Sequence, residues 1–585
     1  MIVFIREVVV KKILQNLLLI LLTSLVVTFS NVSQAELAIY SRMDTSHPVQ
    51  AKHGMVSSQQ KLATDIGIEI LKRGGNAVDA AVAVGFALAV AYPRAGNIGG
   101  GGFMIIHLQQ QNKNIAVDYR EMAPAKAEKD MMLDWRGNVD REKALFHGLS
   151  SGVPGTVMGL ELALQKYGTM DLKQVIAPAI NLAENGFYVS YDLYNSLSVL
   201  KKRLSRWPST VSIFFKEDGE PYAPGELLIQ KDLANTLKLI SKKGSKGFYQ
   251  GEVAKNIAAA IQENGGVMTV QDLANYKAII RKPSKGTYRG YDIYSMPPPS
   301  SGGIHLIQLL NIFENKNIKE MGHNTSATIH QMAEAMKYVY ADRSKYLGDP
   351  DFVKVPSEQL TSKKYAATID KKIGPEKVTP SSEIKPGLPI PYESDQTTHY
   401  SVLDKWGNAV SNTTTLNFSF GSGLVAASTG VLMNNEMDDF SSKPGSPNAY
   451  GLLGGKANAI EAKKRPLSAM TPTIVLKDNK PFLLTGTSGG SRIITTVLQI
   501  IMNVIDHDMN ISEATQAIRI HHQWFPDEIR IEKGLNLDTI NLLIQMGYKI
   551  KTQVAMGSTQ SILATEDWMF GASDPRSLDG KAAGY

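Results

Sequence analysis

No cysteine occurs in the 585 residues. Disulfides, thiolate metal sites and a thiol nucleophile are therefore excluded, and stability has to come from burial. Charged residues are only 20% against 43% apolar, which is ordinary globular composition rather than that of a disordered chain and supplies material for a large core. Beyond residue 35 no apolar run is long enough to span a bilayer as a helix. The formal charge of +7 comes from lysines scattered among acids, with no basic run interleaved with aromatics, so nucleic acid is not an expected partner. The glycines of 96–102 lack the Lys-Ser/Thr pair of a phosphate loop, which argues against nucleotide binding. His521 and His522 are adjacent, so on a strand they face opposite ways, and no helical histidine spacing exists. No metal and no cofactor is expected.

What is present begins with a leader. Arg6, Lys11 and Lys12 precede the apolar run 17–29, and Ser33-Gln34-Ala35 offers a small-x-small cleavage site. The pattern predicts an export signal over 1–35, with an uncleaved anchor over 13–29 as the competing reading. Removing the leader, with three basic residues against Glu7, lowers the formal charge from +7 to +5 and leaves no membrane segment.

Periodicity predicts helices at 58–71 and 77–91, a strand at 103–107 with a hairpin partner at 116–119, mainly helix over 156–242, and helix again over 304–347. Pro380, Pro386, Pro389 and Pro391 crowd the segment 374–395, which predicts an exposed loop. Strands follow at 398–404 and 409–416, joined by a turn at Lys405-Trp406-Gly407-Asn408. A two-residue loop there sets Thr397 opposite Leu416 and diagonal to Thr415, whereas a one-residue bulge sets it opposite Thr415. Further strands are expected at 430–432, 473–476 and 482–484, then a helix over 491–505, and a strand with an ordered tail over 558–585.

Two nucleophiles compete. Gly486, Ser488 and Gly490 form Gly-x-Ser-x-Gly between a strand and a helix, the context of a serine elbow, with Asp506 and His521 or His522 as possible partners. Asp506 lies too near the following helix to be an obvious acid on a later strand, and the same glycines can instead form a tight turn or an oxyanion hole. Thr397 is the second candidate; alone, a threonine opening a strand is simply a β-former.

The stretch Thr397-Thr398-His399-Tyr400-Ser401 resembles the start of the small subunit of γ-glutamyltranspeptidases, which are N-terminal nucleophile hydrolases. The likeness continues through Gly407 to Val410, Thr415-Leu416-Asn417, Asn434 to Phe440, Lys464 to Ser468 and Gly489 to Arg492. It also covers Gly99 to Met104, Arg120 to Lys126 and Gly571 to Arg576, which is essentially the whole mature chain.

The resemblance implies a four-layer αββα sandwich and a precursor that cuts itself between Gln396 and Thr397. Large (36–396) and small (397–585) subunits would remain together as a heterodimer. It implies Thr397 as nucleophile and base, Thr415 as its orienting neighbour, and Gly489 and Gly490 as the oxyanion hole. Arg120 would bind the substrate α-carboxylate with Ser468 and Ala469, while Asn417, Glu436 and Asp439 would hold the ammonium. Ala469 departs from a family pattern that often has a second serine there. The segment 444–455 resembles a lid loop, with Tyr450 closing over the glutamyl group.

The implied reaction passes a γ-glutamyl group from glutathione or another γ-glutamyl compound to water or to an amino acid or peptide acceptor, in the periplasm or outside the cell. A related cephalosporin or glutaryl acylase and an uncut binding protein are the alternatives. Glu436 and Asp439 argue against the first, and Gln396, Thr397 and Thr415 against the second. His399 reads as a packed strand residue rather than a base.

Overall fold

Along the strand Gly101–Leu108, Met104 and Ile106 enter one hydrophobic core while Phe103 and Ile105 enter another. Alternation on a pleated strand sends successive side chains to opposite faces, so a strand apolar on both is covered on both. This is a computed structural model, and it describes residues 9–12, 15, 44–385, 397–443 and 454–585. Nearly all of the expected export signal, Gln396, and 444–453 with Tyr450 lie outside the described residues. The chain divides into two compact units, 1–46 and 47–585. In the first, residues 9–12 and 15 are helical and exposed. No helix among the described residues is long and apolar enough to cross a membrane.

The second unit contains two seven-stranded sheets. One runs in the order Val49–Ala51, Met569–Ser573, Gln560–Ala564, Lys480–Thr485, Thr473–Lys477, Tyr291–Ser295, Ser284–Tyr288. The other runs Lys581–Gly584, Gly54–Ser58, Thr397–Asp404, Ala409–Thr415, Gly101–Leu108, Lys113–Tyr119, Ile279–Arg281. Phe103, Ile105, Leu403 and Ala409 of the second sheet share a core with Ile474, Leu483 and Ile562 of the first, which is the sheet-to-sheet interface. Helices cover the outer faces. Ala77–Ala91 packs on the second sheet, and its Ala- and Val-rich sequence, buried on every side, suits close packing with neighbours all round. Gly302–Phe313 and Ile493–Ile505 cover the first sheet. The result is the four-layer αββα sandwich.

Three expectations need correction. The strands Ile279–Arg281, Ser284–Tyr288 and Tyr291–Ser295 were not expected, and the carboxyl end carries three strands rather than one. The described part of the proline-rich segment is also not simply an exposed loop. Ser381 and Ile384 are buried, and their carbonyls accept the Trp524 Nε1–H at 2.9 and 3.2 Å.

Candidate active site

Thr397 opens the third strand of the second sheet and pairs directly with Thr415. Of the two registers compatible with the sequence, the bulged one forms. Asp404 Oδ1 accepts the N–H groups of Trp406 and Asn408, both at 2.9 Å, and Gly407 at φ +81° supplies the left-handed residue that closes a three-residue loop. Thr397 Oγ1 consequently lies 3.5 Å from Thr415 Oγ1, which accepts the Asn417 N–H at 2.8 Å. Asn417, itself at φ +72°, directs its Nδ2 to the Asn435 carbonyl at 2.8 Å.

Both threonines line one small cavity. The fold brings Arg120, Asn417, Glu436, Asp439, Ser468, Ala469 and Gly490 to the same walls. Arg343, Met470 and Ile493 complete them. Arg120 and Glu436 come from opposite sides of the 396/397 junction, and Arg120 is fully buried. Its Nη1 donates to Glu436 and, at 3.4 Å, to Glu121; its Nη2 donates to Asp439; its Nε donates to the Pro466 carbonyl at 3.2 Å. Arg120 is therefore one cation in a buried cluster of three carboxylates.

Burial alone would lower the Arg120 pKa, but the charges of Glu436, Asp439 and Glu121 outweigh it and raise it. Burial pushes Glu121 up to about 7 against the pull of Arg120, and it raises Glu436 well above the carboxylate range for the same reason. Glu121 Oε1 and Glu436 Oε2 have no hydrogen-bond partner among the described residues, so the cluster has acceptor oxygens to offer a second cation, a substrate ammonium for example.

The Gly-rich turn is adjacent. Gly489 and Gly490 sit at φ +131° and +55°, a conformation that favours glycine, and Gly490 begins the short 3₁₀ turn leading into helix Ile493–Ile505. At Gly486 a side chain is excluded outright, because a Cβ would lie 2.3 Å from His399 Cε1. Ser488 does not line the cavity; its Oγ accepts from Gln59 Nε2 at 3.3 Å.

The partners that an elbow serine needs are engaged elsewhere. Asp506 accepts from Tyr288 and Arg289 at 2.7 and 2.6 Å. His521 is bonded to Thr495 and Gln523 at 2.8 and 2.9 Å, and His522 faces Asp527 at 3.3 Å. His399 is held between Thr413 and Ser401 at 2.8 and 3.1 Å, and burial pushes its pKa down to about 3, so it stays neutral.

Two contributors escape sequence reasoning. Asn434 donates to the carbonyls of Gly99 and Gly152, both at 2.8 Å, and accepts from the N–H groups of Gly152 and Glu436 at 2.9 and 3.0 Å. It thereby locks the segment carrying Glu436 to the glycine run. Arg343, inside helix Ser326–Tyr346, reads in the sequence as one more helical cation, yet it is buried in the cavity wall.

Two facing sheets between helical layers, with a threonine at the head of a central strand and inside the cavity, define an N-terminal nucleophile hydrolase. The family model described as Gamma-glutamyltranspeptidase matches residues 63–585. The chain is 57% identical over 544 residues, 93% of each sequence, to the glutathione hydrolase proenzyme of Escherichia coli (strain K12). A crystal structure of Helicobacter pylori gamma-glutamyltranspeptidase is 50% identical, with 59% of this chain and 97% of that one covered and a TM-score of 0.56. Cephalosporin acylase from Bacillus halodurans superposes with a TM-score of 0.81 over 94% and 98% of the two chains, at 28% identity. The chain belongs to the gamma-glutamyltranspeptidase family.

Proposed function

We propose that this chain cuts itself between Gln396 and Thr397 and then acts as a γ-glutamyltransferase and glutathione hydrolase. In the first reaction the Thr397 hydroxyl attacks the Gln396 carbonyl carbon; the C–N bond breaks as the C–O bond forms, and water opens the resulting ester. Cleavage frees the Thr397 amino group, whose ordinary pKa of roughly 7.7–8.0 suits a general base near neutral pH. That nitrogen then accepts the proton of its own hydroxyl as Oγ1 attacks the γ-carbonyl of the donor. The leaving amine takes the proton, and a γ-glutamyl ester remains on Thr397. Water or the amine of an amino acid or peptide releases it.

The supporting geometry is one observation: Thr397, at the head of a central strand, shares a cavity with Arg120, Glu436, Asp439 and Gly490. The ammonium of the glutamyl group is assigned to Asn417, Glu436 and Asp439, its α-carboxylate to Arg120 with Ser468 and the Ala469 N–H, and the developing oxyanion to the N–H groups of Gly489 and Gly490. Tyr450 and the lid belong to the same reading through the family likeness. Residues 1–35 act as an export signal on the basis of their basic, apolar and small-residue pattern, which places subunits 36–396 and 397–585 in the periplasm or outside the cell.

An acylase reading has a structural neighbour in its favour. The excess of carboxylates at the ammonium site favours the γ-glutamyl reading.

Intact mass of the purified protein, beside Thr397→Ala, tests the first step. Two chains divided between Gln396 and Thr397, with the variant uncut, are expected; γ-glutamyl-p-nitroanilide turnover then tests the second. A folded wild-type chain that stays whole defeats the threonine mechanism.

A further inference from the structure

Arg120 is already in use. Guanidinium offers five N–H donors, and four of those on Arg120 point to Pro466, Glu121, Glu436 and Asp439. A bidentate grip on a carboxylate needs two donors side by side, so Arg120 alone cannot provide one without giving up an existing partner.

Arg343 is in the opposite condition. It is only 5% exposed and lines the cavity that holds Thr397. Among the described residues its side chain makes one hydrogen bond, from Nε to Ser301 Oγ at 3.0 Å, and pairs with no carboxylate. Both terminal nitrogens therefore retain their donors. Burial pushes its pKa down to about 10, which leaves it charged at neutral pH, and the nearest charges it feels include Asp439 and Arg120. His305, whose ring nitrogens have no hydrogen-bond partner among the described residues, is kept neutral by burial and by Arg343, so it adds no competing charge.

The direction of Arg343 is fixed. Ser301 Oγ, which accepts from its Nε, donates to the Ser468 carbonyl at 2.8 Å, and the Ser301 N–H reaches the same carbonyl at 2.9 Å. The guanidinium is thus braced against the Ser468–Ala469 end of the cavity. An unpaired, nearly buried cation is costly unless a ligand anion meets it.

We infer that Arg343 is a specificity-determining residue that receives the α-carboxylate of the γ-glutamyl donor at the Ser468–Ala469 wall, sharing it with Arg120. The inference rests on the γ-glutamyl reading above and deepens it. It also explains how Ala469 is tolerated, since charge-assisted hydrogen bonds replace one from a neutral hydroxyl.

The test compares wild type, Arg343→Met and Arg343→Lys on three p-nitroanilides under single-turnover conditions, so that slow substrates are readable. γ-Glutamyl-p-nitroanilide carries both charges, 4-aminobutyryl-p-nitroanilide lacks the carboxylate, and glutaryl-p-nitroanilide lacks the ammonium. For Arg343→Met the half-saturating concentration should rise about 100-fold with the two carboxylate substrates and stay within about 3-fold with the 4-aminobutyryl compound. Arg343→Lys should recover part of the loss.

Equal losses on all three substrates, or an unchanged half-saturating concentration, overturn the inference and leave Arg343 a packing residue. A loss seen with glutathione but not with γ-glutamyl-p-nitroanilide also overturns it, by assigning Arg343 to the leaving group. If Arg343→Met stays uncut, a processed Arg343→Lys with wild-type saturation overturns it too. An inert but processed wild type instead sinks the γ-glutamyl reading itself.

Discussion

Replacing Thr415 with valine removes one hydroxyl and keeps the shape. That hydroxyl lies 3.5 Å from the Thr397 hydroxyl and accepts the Asn417 N–H at 2.8 Å. Taking the acceptor from a buried N–H costs about 1–3 kcal/mol, and losing a neutral orienting hydrogen bond costs about 0.5–1.5 kcal/mol. At about 1.4 kcal/mol per factor of ten, the two together slow the reaction on the order of 100-fold if both are felt in the transition state. Thr415→Ser keeps the oxygen, and should stay within about 3-fold of wild type.

Time-resolved intact mass reads the effect on self-cleavage, and p-nitroaniline release by processed protein reads it on turnover. Thr415→Val should be slow in both, with a raised KM as Asn417 shifts. A valine variant that cuts itself and turns over as fast as wild type refutes the argument that the hairpin register positions Thr397 through Thr415.

Glu121 gives a pH prediction. Its folded pKa, near 7, stands above the ordinary 4.5, so between those values the folded chain holds a proton that the unfolded chain has released. Stability therefore falls as pH rises through that window. Glu121→Gln should remove this part of the slope, improving relative to wild type from pH 4.5 to pH 8 in denaturant titrations; a difference constant across pH counts against the buried-cluster account. Arg519→Met probes the buried pair with Asp574, in which Arg519 also donates to the carbonyls of Met556 and Thr515 at 2.7 and 2.8 Å. Leaving that carboxylate short of a partner should cost about 3–5 kcal/mol in unfolding free energy, and a loss under about 1 kcal/mol would mean that Arg576, 3.1 Å from Asp574, and the Thr559 N–H at 2.9 Å satisfy the carboxylate without Arg519.

Local pattern carried the elements whose signal is local. Ala77–Ala91 has the expected bounds, and its first turn is fixed by Asn76 and Asp79 capping each other. The hairpin 397–415 was legible because its turn chemistry is local, although only the loop geometry decides between two registers.

Several strands missed in the sequence have partners far away in it: Val49 pairs with Gly571, Met55 with Gly584 and Ile280 with Val117. No periodicity in a short segment reports such a partner. Thr397 illustrates the same limit for chemistry, since family likeness rather than residue type singled it out. Arg343 could not be found from its helix, because its meaning depends on what fails to pair with it in three dimensions.

The place of Thr397 in the sheet also bears on how a chain end would serve as the proposed base. Ordinary termini fray. Here the residue that cutting would turn into a terminus is buried and pairs with Thr415, while Tyr400, farther along its strand, pairs with Ser58 on the other side. The partners lie on both sides of the proposed cut. Thr397–Asp404 pairs with Gly54–Ser58, Ala409–Thr415 with Gly101–Leu108, Met569–Ser573 with Val49–Ala51 and Thr473–Lys477 with Tyr291–Ser295. Neither piece alone owns a complete sheet, so pieces folding separately would each present open edges and half a core. A chain that folds before any cut avoids those open edges, and the pairings across the junction would hold two cut pieces together.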